Sequence, residues 1–234
     1  MTRGARLATA ILFAAGLAVL LGLGTWQYQR LQWKTAIIDH LHAQYDALAD
    51  SDGGNRLSRA AMEAAAAGGA RPFLVGTITG RLLADKITFV GPSSRNGVFG
   101  YHVIMPVQMP DGTILADLGW IAEADRGELE IDGVRVTLGG IARKPDYSRF
   151  ASRNSPHHNL WFQTDIGEIA AAQHISDVAP LVLYTQDSVH GTITPHNKRW
   201  LPRNKHTQYM LFWFGMAAAW VAVFALAWRK ARAR

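Results

Sequence analysis

The chain has no cysteine among its 234 residues. This absence excludes disulfides, a CxxC redox pair, thiolate zinc sites and a cysteine nucleophile. The sequence also lacks the HExxH, G-x-S-x-G, P-loop and dinucleotide-binding patterns of common enzyme sites, and it shows no carboxylate pair in a recognisable catalytic setting. We therefore predict that the protein is not an enzyme, with scattered catalytic residues as the remaining alternative.

Two long stretches contain no charged residue, from Leu7 to Leu23 and from Tyr209 to Trp228. With their flanks, each approaches the roughly 20 apolar residues that cross about 30 Å of hydrocarbon. The first stretch is longer than the apolar part of a signal peptide, and no clear A-x-A cleavage site follows it. We therefore predict uncleaved transmembrane helices at residues 7–28 and 207–228.

The basic residues near the two spans are evenly divided between the two sides of the membrane. Six lie in the tails and six on the opposite flanks: Arg3, Arg6, Arg229, Lys230, Arg232 and Arg234, against Arg30, Lys34, Lys198, Arg199, Arg203 and Lys205. Charges on long translocated loops count little toward orientation, so we predict cytoplasmic termini and a periplasmic domain at residues 34–205. Because no Ser- and Arg-rich transit peptide precedes the first span, we expect a bacterial inner membrane.

The formal net charge of +6 raises the question of nucleic-acid binding. No basic helix or aromatic RNA-binding motif accompanies the basic residues, which cluster beside the spans. Contacts with lipid headgroups are the better explanation of this pattern. We therefore expect the lipid bilayer, and no nucleic acid, among the partners.

In the domain between the spans, apolar residues first recur at the spacing of helices and then at the spacing of strands. Apolar residues recur at helical spacing from Trp33 to Ala49, and a short Ala-rich helix is predicted at 59–67, with Ser58 as its N-cap and Gly68-Gly69 as its end. A loop is predicted at 51–55. A second short helix, capped by Asp165, is predicted to end at His174.

From about residue 71 the pattern is that of strands. Eight short segments alternate or are rich in β-forming residues: 73–78, 87–90, 101–105, 113–121, 129–131, 134–138, 160–163 and 181–184. Asp111-Gly112 and Asp132-Gly133 each predict a hairpin, because both residues tolerate positive φ. The predicted fold class is membrane α+β: two transmembrane helices flank a mainly antiparallel β domain, arranged as a sandwich or open barrel.

Three segments together resemble the surfeit locus protein 1 family of cytochrome c oxidase assembly factors. They are LGTWQYQRLQWK at residues 23–34, Gly119-Trp120-Ile121, and NKHTQY at residues 204–209 leading to Trp213-Phe214. In the second segment, Leu118 and Ala122 stand where the family usually has Arg and Pro. The resemblance covers nearly the whole chain, including its two-span plan.

This resemblance implies a role in building cytochrome c oxidase and, for bacterial members, a link to haem a. The expected partners are cytochrome c oxidase subunits, with haem a synthase as a further candidate. The leading hypothesis is an assembly factor that binds haem a or delivers it to the catalytic subunit. The alternative is a cofactor-free membrane scaffold that binds oxidase subunits during assembly.

His206 is the histidine best placed to meet a membrane-soluble cofactor. Asn204 is a plausible N-cap, which puts His206 in the first turn of the second span. The positive end of the helix dipole favours the neutral imidazole that a haem iron ligand requires. The alternative is an interfacial histidine that bonds lipid headgroups. The other eight histidines lie in the extramembrane stretch, which an apolar macrocycle reaches less readily from the bilayer.

Aromatic and basic residues accompany His206 at helical spacing. Trp26 and Arg30 share a face of the first span, and Tyr209 and Trp213 follow His206 on the second. The aromatic rings would flank a haem plane, and Arg30 would pair with a propionate, with Arg199 or Arg203 as alternatives for that role. The alternative for these aromatic residues is interface anchoring or helix packing. With His206, these four residues form the predicted haem a site.

Overall fold

The computed structural model describes residues 3–50, 55–68 and 73–232. The predicted loop at 51–55, apart from Asn55, and the second glycine of the predicted helix end, Gly69, lie outside these residues. The chain divides into two compact units. The helical unit comprises Met1–Leu41 and Leu201–Arg234, and the β unit comprises His42–Trp200.

Four α-helices are present in the described residues: α1 (Arg3–Asp50), α2 (Arg59–Ala67), α3 (Ile166–Ala172) and α4 (His206–Arg232). α1 and α4 contain no proline, and both are long and apolar enough to cross a membrane. The predicted spans lie within them. The predicted caps of the short helices are confirmed, since the side chains of Ser58 and Asp165 accept hydrogen bonds from backbone N–H groups of α2 and α3.

Within the helical unit, glycines of α1 meet aromatic rings of α4. A Cβ atom at Gly24 would lie 2.7 Å from the Phe214 ring, and one at Gly16 would lie 3.1 Å from the Trp220 ring. The Trp220 indole N–H also donates to the Phe13 carbonyl oxygen at 3.2 Å. Small residues let a neighbouring helix approach closely, and this packing joins the two apolar helices.

The β unit contains six strands: β1 (Phe73–Leu82), β2 (Thr88–Arg95), β3 (Val98–Met109), β4 (Gly112–Ala122), β5 (Arg135–Arg143) and β6 (Val178–Thr185). Their order is β1-β5-β6-β4-β3-β2, and β3 also pairs with β1, so five strands close into a ring to which β2 is added. All pairs are antiparallel except β4 with β6. The predicted fold class is therefore confirmed, with a closed rather than an open barrel.

Both faces of β4 are covered. Ile114, Ala116 and Leu118 belong to the main hydrophobic core, which gathers residues from five strands and α2. Leu115 points to the opposite face and joins a smaller cluster with Ile104 of β3, Val182 of β6, Trp161 and Ile169 of α3. Successive side chains of a strand point to opposite faces of the sheet. β4 therefore has an inner face toward the main core and an outer face that α3 and Trp161 cover.

The predicted strand at 160–163 is wrong. Leu160 and Trp161 make only isolated bridges, to Ser155 and Val90, within the described part of the chain. Trp161 is nevertheless buried, with 4% of its surface exposed. Trp161 and its apolar neighbours cover the outer face of the sheet. A buried covering segment has the same apolar sequence pattern as a strand.

Of the two predicted hairpins, one forms. β3 and β4 are joined by a two-residue turn at Pro110-Asp111, and Met109 pairs with Gly112. The hairpin at Asp132-Gly133 is wrong, because β5 pairs with β1 and β6 instead. Leu129 and Ile131 pack on the main core from irregular chain, so their apolar character reflects burial without strand pairing.

A β-bulge interrupts the pairing of β3 with β4. His102 pairs with Trp120, but Ile104 pairs with Asp117, so β4 carries one residue more than β3 across this step. Gly119 lies in the extra stretch with φ +125°, and a Cβ atom there would lie 2.2 Å from the Thr194 carbonyl oxygen. The bulge therefore requires glycine at this position.

We predict that Gly119→Ala destabilises the β unit. The substitution combines an unfavourable φ with a clash against backbone, and we expect a cost on the order of 1–3 kcal/mol. The thermal unfolding midpoint of the full chain in detergent, followed by β-sheet circular dichroism, should fall by about 2 °C or more. Gly127→Ala is the control, since a Cβ atom at Gly127 meets nothing within 4 Å. Equal midpoints for the two variants would contradict the assigned role of the bulge.

Candidate functional site

The predicted site in the helical unit begins where α4 begins. His206 is the first residue of α4, and its backbone N–H donates to the Asn204 side-chain oxygen at 3.3 Å. The Asn204 side-chain amide in turn lies 3.5 Å from the Thr35 hydroxyl of α1. The polar end of α4 is thus tied to α1 within this unit. These contacts place the His206 ring, which is half-buried, beside α1.

The His206 ring is held by a side chain of α1. Its Nδ1 lies 2.7 Å from the Gln27 amide oxygen, and Gln27 is 8% exposed. An amide oxygen only accepts hydrogen bonds, so Nδ1 is the donor, and in the neutral tautomer Nε2 then keeps its lone pair. Ligating histidines are commonly oriented in this way by a hydrogen bond at the other ring nitrogen. The pair therefore presents an oriented imidazole with Nε2 available as a ligand.

The contacts of the other predicted site residues lie outside this pair. The Arg30 guanidinium lies 4.0 Å above the Trp33 ring, and Trp26 and Tyr209 are about half exposed. Trp213 is half-buried and packs edge-on against Phe212. The His206 ring is bonded by Gln27, which lies inside the first motif but is not one of the predicted site residues.

A second cluster of ionisable residues lies in the β unit. His102 of β3 and Asp117 of β4 are on the outer face, on the same side as Ile104 and Leu115. His102 Nδ1 lies 3.1 Å from Asp117 Oδ2, and His196 Nε2 lies 2.9 Å from Asp117 Oδ1. The Asp117 side chain is 4% exposed. A carboxylate this deeply buried requires compensating partners.

The bulge brings His196 to this carboxylate. Trp120 and Thr194 exchange two backbone hydrogen bonds, of 2.9 and 2.8 Å, so the chain after β6 docks against β4. The Gly119 backbone N–H donates to Asp117 Oδ1 at 3.0 Å. The His196 backbone N–H donates to the Thr185 carbonyl oxygen at 3.1 Å, which fixes its position two residues further on.

The electrostatics of the cluster are strongly coupled. Burial alone would raise the pKa of Asp117, but its contacts with His102 and His196 outweigh burial and lower that pKa below the usual value. Burial alone would lower the pKa of His102, and the hydrogen bond to Asp117 together with its charge raises it instead. Asp117 is therefore held as a carboxylate inside the protein.

A cavity of about 330 Å³ opens beside the cluster. His102 and His196 line it, together with Arg95, Trp120 and Lys198. The two histidine rings stack with centroids 5.5 Å apart, and the Tyr184 ring meets His196 edge-on. The cluster thus lies at the wall of a space that a small ligand could enter.

Sequence reasoning missed this cluster. One signal was present, because Asp117 is a lone charge in the apolar segment 113–121 and therefore required a partner. Its partners could not be named, since His102 is reached through the register of β3 with β4 and His196 lies in irregular chain.

Comparison with known proteins places this geometry in a family. A family model described as "SURF1 family" matches residues 14–218. The chain belongs to the SURF1 family. It is 26% identical to the SURF1-like protein of Drosophila melanogaster, over 86% of this chain and 71% of that protein. It is 24% identical to the SURF1-like protein of Dictyostelium discoideum, over 91% and 93%, and 27% identical to Surfeit locus protein 1 of Mus musculus, over 86% and 70%.

The SURF1 family match spans parts of α1 and α4 and the whole of the β unit. All three motif segments that carried the resemblance lie within it, and each makes a defined contact. Gln27 and His206, from the first and third segments, form a side-chain hydrogen bond between α1 and α4. Gly119-Trp120, the second segment, forms the bulge that docks Thr194. With its two apolar helices, this SURF1-family chain is a membrane protein.

Proposed function

We propose that the chain is an assembly factor for cytochrome c oxidase that holds haem a at His206 and passes it to the catalytic subunit. The proposal assigns the chain no catalytic step. Its expected partners are oxidase subunits and haem a synthase, because the first must receive the haem and the second must supply it. The family membership supports the assembly role, and the arrangement around His206 supports the haem.

The hydrogen bond between Gln27 and His206 carries the proposal. A histidine that only anchored a helix at the membrane interface would need no buried amide to fix its ring. Here the amide oxygen lies 2.7 Å from Nδ1, so the lone pair of Nε2 would be free to bind a metal ion. Haem a would supply an iron that accepts an imidazole nitrogen, and His206 would hold it through Nε2.

The surrounding residues fit a flat apolar group with anionic edges. Arg30 lies three residues from Gln27 on α1, so both occupy neighbouring positions on that helix. The Arg30 side chain is exposed, and its guanidinium is available to a propionate. Trp26 and Tyr209 offer exposed rings for contact with the macrocycle. The chain therefore supplies a ligand, a cation and apolar surface within one unit.

We also propose a bacterial inner membrane as the location, with both termini in the cytoplasm and the β unit in the periplasm. This orientation would set His206, at the start of α4, at the periplasmic end of its span. A haem bound there would be reached from within the bilayer and from the periplasmic face.

The orientation is tested with a reporter that is active only in the periplasm. Fused after Arg234, the reporter should be silent, because the second span returns the chain to the cytoplasm. Inserted after Gly127, which lies in an exposed turn of the β unit, the same reporter should be active. Activity at the C-terminus with silence at Gly127 would reverse the proposed topology.

The haem proposal is tested with His206→Ala. Purified from cells that make haem a, the wild-type chain should carry a Soret band. His206→Ala should reduce bound haem at least tenfold, because it removes the imidazole proposed to hold the iron. Arg30→Ala should weaken binding less, since a propionate pair at a wet surface contributes on the order of 1 kcal/mol or below. Arg30→Lys keeps the charge and should be closer to wild type.

His157→Ala is the matched control, because His157 is an exposed histidine of the β unit. It should leave the Soret band unchanged while membrane content stays equal among all variants. Full haem content in His206→Ala, combined with a lower level of assembled oxidase, would instead support the cofactor-free scaffold and refute the haem site.

A further inference from the structure

We propose that His102, Asp117 and His196 bind a divalent transition-metal ion of the Zn²⁺ and Cu²⁺ class. The site lies in the β unit and uses none of the residues assigned to haem. Two imidazoles and one carboxylate form a donor set that such ions favour, and the chain offers no thiolate that would select a softer ion.

The three donor atoms already lie close together. All of them are within 4.8 Å of one another. Metal–ligand distances of about 2.0–2.2 Å place tetrahedral ligand atoms about 3.4 Å apart. The carboxylate lies 3.1 Å from His102 Nδ1 and 2.9 Å from His196 Nε2, so small rotations of the rings would open a coordination position between them.

His196 gives an independent indication of a missing partner. Its Nε2 is closed off from solvent, yet it forms no hydrogen bond of good geometry with any described residue. The short approach to Asp117 therefore occurs without the alignment that a hydrogen bond would supply. A buried ring nitrogen close to a carboxylate, without an aligned hydrogen bond, fits two ligands that would share an ion.

The backbone holds the donors before any ion arrives. His102 and Asp117 are on adjacent strands across the bulge, and the paired backbones of Trp120 and Thr194 fix the segment that carries His196. The Gly119 N–H donates a hydrogen bond to Asp117 Oδ1. Carboxylates that bind metal ions commonly accept such hydrogen bonds from neighbouring groups. A site built on strands and a docked segment would bind with little reorganisation.

The cavity beside the cluster would leave space for a further ligand on such an ion. Three protein ligands leave room for at least one more, and the cavity wall there includes Arg95 and Lys198. These two cations do not coordinate, but they would pair with an anion bound to the ion. We therefore expect water or a small anion as the exchangeable ligand.

The test uses the full chain in detergent, purified without a histidine tag and stripped with EDTA. Titration with Co²⁺, followed by its visible absorption and by competition with Zn²⁺, should show one saturable site per chain. His102→Gln and His196→Gln should each bind at least tenfold more weakly. Glutamine keeps a hydrogen-bond donor for Asp117, so a purely structural network would tolerate it. Asp117→Asn, which keeps the side-chain size, is a further variant should a glutamine variant not fold.

The matched control is the double variant His157→Gln/His158→Gln, which removes two exposed adjacent histidines and should bind as wild type does. Zn²⁺ should raise the thermal midpoint of wild type but not of the cluster variants. His206→Ala should keep the full metal stoichiometry, so failure of the haem proposal leaves this one testable. Absence of a saturable site, unchanged affinity in the cluster variants, or loss of binding in the control would each overturn the proposal.

Discussion

Polar groups that are buried away from water must form hydrogen bonds or ion pairs within the protein. This requirement determines the contacts on which both units depend. In the β unit the buried carboxylate of Asp117 is met by His102, His196 and the Gly119 N–H. Leaving such a charge uncompensated would cost several kcal/mol. The bulge and the docked segment that carries His196 are the means by which the fold supplies these partners.

The same requirement acts in the helical unit, where the surroundings are apolar. Gln27 and His206 each carry a polar side chain at the junction of two hydrophobic helices, and each satisfies the other. Close approach at Gly16 and Gly24 brings the helices together. The hydrogen bond does more than join them, because it fixes which ring nitrogen of His206 carries the proton. This one hydrogen bond thus both joins the two helices and selects the ring nitrogen that carries the proton.

Local sequence patterns predicted the helices and strands well, but they predicted the pairing of distant strands poorly. The caps of α2 and α3 and the β3–β4 hairpin depend on neighbouring residues, and each was predicted from them. The closure of β3 onto β1 depends on distant partners and had no local signal. Segment 160–163 and the Asp132-Gly133 turn misled because apolar residues that cover a sheet have the composition of strands. His206 was found from its motif, whereas Gln27 needed the packing of α1 against α4.

The position of the proton on the His206 ring is the most direct test of the proposed haem site. Nitrogen NMR of the haem-free chain, labelled with ¹⁵N at histidine and assigned by difference from His206→Ala, reports which ring nitrogen carries the proton. Of the two neutral tautomers, the Gln27 contact predicts the one with the proton at Nδ1 and a bare Nε2, and Gln27→Leu should abolish that preference. A ring protonated at Nε2 in the wild-type chain would contradict the account, because the nitrogen offered to iron would then be blocked.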